Sequence, residues 1–320
     1  MIRQTAALTL ALATSAGAFE LAQPIACTLG SDCHIQNHFD RDPGPGMADI
    51  ACGHLTYDGH DGTDFALPDL AAMARGVAVL AAAPGRVTGI RDGMPDIAIS
   101  DPTAPALDGR DCGNGVVIDH GAGWQTQYCH LKRGSVSVRS GDTVETGTPL
   151  GLVGLSGNTE FPHVHIAVRK DGIALDPFAP AAPAPACGAP LDGQLWATPI
   201  AYDPFGFTGA GFFTDVPAWQ VIKAGLASPE TLPTDAPALV FWAAYFGPKQ
   251  GDSLTLAITG PMGEVFRQTI TLDRTQAVAF RAGGKRAPPG GWPAGDYTGE
   301  AVLLRDGVEL GRQSAAISLQ

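Results

Sequence analysis

The chain has 320 residues, 45% of them apolar, which suits folded cores and excludes a mostly disordered protein. Charged residues are only 16%, while 41 Gly and 26 Pro disfavour long helices and coiled coils and favour short strands joined by turns. A net charge of −12 supplies no basic stripe to neutralise phosphates, so general nucleic-acid binding is excluded. In chain order, residues 1–18 read as an export signal. Arg3 gives the positive start, Thr5 to Ala13 the apolar run, and Ala16-Gly17-Ala18 the small-residue cleavage site. The run is too short to span a bilayer, and no later stretch reaches the length a membrane span needs. Cys27 is a poor lipidation site, because Pro24 stands where a Leu-like residue is expected.

A turn-rich lead, residues 19–49, follows the signal, dense in Asp, Gly and Pro from Asp40 to Gly46. Residues 50–178 are short β-type runs punctuated by Gly, with strands expected at 76–80, 85–90, 115–119, 124–128 and 165–169. Gly121-Ala122-Gly123 marks a hairpin turn, and only Pro68 to Arg75 has helical character. A Pro/Ala-rich linker at 179–195 is the best domain boundary. Beyond it, residues 196–320 carry strands spaced like a small β-sandwich, at 239–246, 253–259, 265–271, 276–280, 299–305 and 308–318. The fold class expected is therefore all-β, in two domains.

Six Cys, at 27, 33, 52, 112, 129 and 187, agree with export to an oxidising compartment, periplasmic or extracellular. Sequence alone leaves fifteen ways to join them. The pairing expected is Cys27–Cys33 as a local loop, Cys112–Cys129 across the hairpin and Cys52–Cys187 tying the domain's ends. No pair has the close spacing of a zinc cluster.

Eight His stand at 34, 38, 54, 60, 120, 130, 163 and 165. His163 and His165 are two apart before an apolar run, so on a strand both rings face one side. His60 and Asp64 are four apart, with Gly62 between them to allow a bend. His130 follows Tyr128-Cys129 at the hairpin's end. Such a set offers three ligands with an open fourth position, as catalytic zinc requires, and two spare imidazoles. His54 and Asp58 repeat the same spacing six residues earlier, and spacing alone leaves both registers open.

Gly59 to Pro177 resembles the lysostaphin-type (LytM-like) zinc metallopeptidases, mostly peptidoglycan endopeptidases. The family's H-x-G-x-D-F appears as His60-Asp61-Gly62-Thr63-Asp64-Phe65, whereas His54 lacks the Gly and Phe. Its Gly-rich hairpin and Y-x-H-L match Gly113 to Trp124 and Tyr128 to Leu131. The turn from Gly141 to Gly157 and the H-x-H strand at Pro162 to Ile166 follow in order. The resemblance implies a barrel-sandwich-like antiparallel sheet, Zn2+ held by His60, Asp64 and His165, and His130 and His163 as catalytic imidazoles. It implies peptide cross-links of peptidoglycan as substrate; rivals are a secreted protein or Gly-rich peptide, and a non-catalytic wall-binding or activating module. Cys52, Cys112, Cys129 and an acidic insertion between Arg91 and Asp111 depart from the pattern, and the insertion is expected to shape or cover the groove. The lead, laid over the groove, would inhibit by offering His34, His38 or an Asp as a fourth ligand. His120 is expected to be structural, Asp119 and Asp142 to orient or cap, and Tyr128 to orient a neighbour or line the cleft.

Overall fold

A computed structural model describes residues 18–181, 187–188, 191, 193–226 and 228–320. The apolar signal and part of the Pro/Ala run lie outside the described residues. The first half contains β1 His34–Asn37, β2 Thr63–Ala66, α1 Leu70–Arg75, β3 Ala78–Leu80, β4 Gly85–Arg91 and β5 Asn114–Gly121. It continues with β6 Trp124–Leu131, β7 Thr143–Val144, β8 Pro149–Leu152, β9 His163–Lys170 and β10 Ile173–Leu175. The protein is almost all-β, as its composition predicts. Helix α1 begins where the Asp69 side chain accepts the Ala72 N–H at 2.7 Å, and it stops at Gly76, whose φ is positive.

Eight strands form one antiparallel sheet in the order β1-β2-β9-β6-β5-β4-β7, with β10 beside β9; β3 and β8 pair separately. Alternation along β9 explains its place. Val164, Ile166 and Val168 are fully buried in the first core with Phe65, Val116, Ile118 and Tyr128. His163, His165 and Arg169 project from the opposite face. The disulfides are Cys27–Cys33, Cys52–Cys187 and Cys112–Cys129, the three pairs expected.

The second half holds β11 Gly206–Phe213, α2 Trp219–Ala224, β12 Thr231–Leu232, β13 Ala238–Phe246 and β14 Ser253–Gly260. After them come β15 Gly263–Thr271, β16 Val278–Arg286, β17 Gly295–Arg305 and β18 Val308–Leu319. The sheet β11-β13-β16 faces the sheet β12-β18-β17-β14-β15 across a core of Phe212, Phe241, Leu254, Leu256, Tyr297 and Leu303. This is the expected β-sandwich. Trp196 belongs instead to the first core, and the second core begins at Phe205.

The lead is built into the first unit rather than laid upon it. Leu21 and Ile25 are buried there, the Leu21 N–H donates to Leu195 O at 2.7 Å, and β1 pairs with β2. It also touches the sandwich: the His34 ring stacks on Phe246 at 4.5 Å, and Gln36 Nε2 donates to Ala277 O. Among the described residues, no helix is long and apolar enough to cross a membrane.

Candidate metal centre

Strand register assembles the centre. Asn37 lies opposite Asp64, Asp64 opposite His165, and His165 opposite Cys129, so one row crosses β1, β2, β9 and β6. In such a row side chains share a face. Asp64 Oδ1 stands 2.9 Å from His165 Nδ1 and 3.1 Å from His60 Nε2, and the two nitrogens are 3.1 Å apart. All three residues are buried. Gly62 permits this closeness, because a Cβ there would lie 2.6 Å from the His165 ring and 2.5 Å from Ile166 O.

His130 reaches the same face by a β-bulge. Asn114 pairs with Leu131 and Val116 with Tyr128, so Gly115 alone opposes Cys129 and His130. His130 has φ +64°, a conformation that few non-glycine residues adopt. The bulge turns its ring to the site, 4.6 Å from the His163 ring and 6.1 Å from the His165 ring. The Cys112–Cys129 bridge flanks the bulge, and the His130 N–H donates to Cys112 O at 2.8 Å.

Backbone carbonyls set the tautomers. His60 Nδ1–H donates to His38 O at 2.6 Å, His130 Nδ1–H to Ser156 O at 2.8 Å, and His163 Nδ1–H to Phe161 O at 2.9 Å. In each neutral ring Nε2 then carries a lone pair. His165 is reversed: Asp61 Oδ1 stands 3.4 Å from its Nε2, leaving Nδ1 toward Asp64. Asp61 is held in turn by Arg169 Nη2 at 3.0 Å, while Arg169 Nη1 donates to Gln127. Asn37 Nδ2 donates to the second Asp64 oxygen at 2.9 Å.

The donor set fits a metal cation. With neutral rings, His60 Nε2, His165 Nδ1 and Asp64 Oδ1 bring lone pairs together and no hydrogen to share. Ligand atoms each about 2.0–2.2 Å from one zinc ion stand roughly 3 Å apart, as these do. Without a metal, protons take over. Burial opposes charge on His165, but Asp61 and Asp64 overcome it and push the ring up to about 9. Burial likewise works to raise Asp64, yet His60, His163 and His165 hold it well below the usual carboxylate range. Burial, with His163 and His165 nearby, keeps His130 well below the usual imidazole value; burial also lowers His163.

Of the predicted residues, His60, Asp64, His130, His163 and His165 meet here, and the others do not. His54 and Asp58 stay outside, with both His54 ring nitrogens buried and unpartnered. His34 faces Phe246, so it offers no fourth ligand, and His38 contributes its carbonyl rather than its ring. Tyr128 is buried in the core, its hydroxyl accepting from Ala82 N, so it does not line the cleft. His120 bonds Pro84 O and Thr126 in the hairpin; Asp119 and Asp142 cap turns. The acidic insertion braces the loops around the site. Asp96 accepts from Arg133 N and Leu155 N, and Asp92 from Gly134 N. A cleft of about 170 Å³ opens beside the centre, lined by Tyr57, Asp61, Asp111, Gln127, Asn158 and Arg169.

Sequence reasoning missed Asn37, the His38 carbonyl and Asp61. Asp61 lies inside the motif and was within reach. The polar, aperiodic lead gave no sign that Asn37 and His38 close the site.

Residues 58–177 match the family described as Peptidase family M23. The chain is 33% identical over 106 residues to the peptidoglycan DD-endopeptidase ShyA of Vibrio cholerae, covering 33% of this chain and 19% of that protein. It is 34% identical over 94 residues to the murein hydrolase activator EnvC of Escherichia coli, covering 29% and 22%. The chain thus spans about a fifth of the length of these relatives. A solved catalytic domain of the prophage-encoded M23 protein EnpA from Enterococcus faecalis is 24% identical, covering 50% of this chain and 95% of that one, with a TM-score of 0.33.

Proposed function

We propose that the protein, whose residues 58–177 match peptidase family M23, is an exported zinc-dependent endopeptidase that hydrolyses peptide cross-links of peptidoglycan. The observation that carries this reading is the convergence of His60 Nε2, Asp64 Oδ1 and His165 Nδ1, with two further imidazoles beside them. In this reading His60, Asp64 and His165 hold Zn2+, residues 50–178 form the catalytic unit, and residues 196–320 an accessory one. Residues 1–18 direct export, to the periplasm with the extracellular space as the alternative, and the three disulfides suit either destination.

Bound zinc supplies Lewis acidity, polarising a carbonyl and bringing the pKa of a water from about 15.7 toward 7. The chain's own residues do the rest. His130 and His163 have Nδ1 committed to carbonyls, so each has only Nε2 with which to exchange a proton. Their lowered basicity keeps both rings neutral near pH 7, ready to accept. One takes the proton of the attacking water on Nε2 and, now charged, stabilises the developing tetrahedral centre and passes that proton to the departing amine. The other, its Nε2 also free, stands beside it able to accept and relay the same proton. Acid–base help of this kind is worth roughly 10²–10⁴ in rate. Asp61 and Asn37 keep His165 and Asp64 aimed inward.

The test is digestion of purified peptidoglycan, with fragments read by mass spectrometry, with and without a zinc chelator. Cross-linked fragments should fall to monomers only when zinc is present. The likeness to EnvC favours a second reading, a non-catalytic activator of other wall hydrolases. An intact wall beside a zinc-loaded protein, with a partner hydrolase stimulated, would replace the first reading with the second.

A further inference from the structure

The turn before β9 decides how His163 stands. Phe161 O accepts from His163 Nδ1, and Thr159 Oγ1 lies 3.1 Å from the same nitrogen. Thr159 Oγ1 also ties the turn to itself, donating to Phe161 O and accepting from Phe161 N. Three residues cannot fix their own position in space, and the turn is held from outside on two sides. The insertion contributes Ile99 N, which donates to Thr159 O at 2.9 Å. It also contributes Ser100, whose N–H and hydroxyl donate to the two Glu160 oxygens at 2.7 and 2.8 Å. The sandwich contributes Lys223 of α2. Its ammonium reaches Glu160 Oε2 at 3.3 Å and lies over the Phe161 ring, 5.3 Å from the centroid.

We propose that Lys223 and Glu160 are positioning residues for His163, through which the C-terminal sandwich sets the orientation of a catalytic imidazole. This rests on the endopeptidase reading for its kinetic consequence, though not for its geometry. Lys223 grips the middle and the end of the turn at once, by charge at residue 160 and by a cation–π contact at residue 161. The carbonyl that fixes the His163 tautomer belongs to that same residue 161. If the grip loosens, Phe161 O and Thr159 Oγ1 shift with the turn, Nδ1 loses both fixed partners, and Nε2 is no longer the only nitrogen free to take a proton. The accessory half is then a clamp on the site, whatever else it binds.

The experiment compares the full-length chain with Lys223→Met, Lys223→Arg, Glu160→Gln and, as a control on the exposed face of the sandwich, Lys285→Met. Each is labelled with 15N-histidine, and the His163 tautomer is read by proton–nitrogen correlation spectra, with and without zinc. Steady-state kinetics on a soluble cross-linked muropeptide accompany the spectra. Lys223→Met and Glu160→Gln should lose the pure Nδ1–H tautomer, and kcat should fall about tenfold with KM within about twofold. Lys223→Arg should keep both, since its longer fork still reaches Glu160, and Lys285→Met should change neither. A tautomer unchanged in Lys223→Met and Glu160→Gln overturns the proposal, even if kcat falls. So does an equal effect of Lys285→Met. A tautomer lost in a protein inert on muropeptides supports the clamp and removes the endopeptidase reading instead. Should Lys223→Met fail to fold in a thermal melt, Glu160→Gln decides by the same readouts.

Discussion

Asn37 Nδ2 donates to Asp64 Oδ2 at 2.9 Å, and the two residues face one another across β1 and β2. The bond leaves the other Asp64 oxygen for His60 and His165. An edge strand drawn from the lead thus orients a carboxylate that the H-x-G-x-D motif supplies. Outer partners of this kind are typically worth 10–100-fold in metal affinity.

Asn37→Leu is accordingly expected to weaken zinc binding by roughly tenfold or more while leaving the sheet intact. Competition against a fluorescent chelator reads the affinity, and far-UV circular dichroism checks the fold. Unchanged affinity in a folded variant would remove Asn37 from the site.

The five converging residues divide by role. His60→Ala deletes a ligand atom and should lose both zinc and activity. His163→Ala leaves the three ligand atoms in place, so zinc should remain while the rate drops by about 10²–10⁴. Metal content by mass spectrometry, beside turnover of peptidoglycan fragments, separates the two. Stoichiometric zinc in His60→Ala would overturn the ligand assignment.

Zinc uptake should release a proton. Burial disfavours charge on His165, yet Asp61 and Asp64 raise the ring to about 9, so at pH 7 the metal-free ring is protonated. Zinc must displace that proton, and affinity should rise about tenfold per pH unit until the pH reaches about 9. Calorimetry in buffers of differing ionisation enthalpy counts the proton. Binding heat independent of the buffer would contradict this account.

The lead is structural, and its removal should not activate. It buries Leu21 and Ile25, supplies β1, and carries Arg41, which pairs with Asp176 in a buried ion pair at 2.9 Å. Each apolar side chain contributes about 1.5–3 kcal/mol, and removing one partner of a buried ion pair costs roughly 3–5 kcal/mol. Deleting residues 19–49 should therefore unfold the first unit, seen as lost near-UV dichroism and rapid proteolysis. A folded truncation with raised activity would restore the inhibitory reading.

How legible was all this in the sequence? Period-two alternation marked β14, whose Leu254, Leu256 and Ile258 face the core, whereas β13 was legible as a continuous apolar run that is buried along almost its whole length. Strands β1, β2, β7 and β8 are two to four residues long, too short for any period to show. Edge β11, with its three Gly, lacks the apolar density of a strand interior. At the site, His60, Asp64, His130, His163 and His165 were legible through local motifs. The carbonyls of His38, Ser156 and Phe161 were not, because a backbone atom leaves no residue signature. His130 was readable as a catalytic imidazole at the end of the hairpin, but the bulge that aims it depends on register with Gly115, a long-range fact.

Acid should loosen the junction of the two halves through His34. Its ring is buried on Phe246, and Nε2 meets Gln36 Oε1 at 3.1 Å. Burial lowers its pKa to about 4, with the Gln36 bond only partly offsetting. The unfolded ring titrates near 6.5. Between those values the unfolded chain takes up a proton that the folded chain refuses, so stability falls as pH drops. The neutral ring's contribution is fully present above about 6.5 and is lost progressively toward 4. A shift of this size corresponds to about 3 kcal/mol. His34→Phe keeps the stacked ring and removes the titration. Urea unfolding at pH 7 and pH 4.5 should show the wild type losing about 2 kcal/mol more than the variant, since part of the effect is lost only below pH 4.5. Parallel losses in the two proteins would mean that His34 is not the group that refuses the proton.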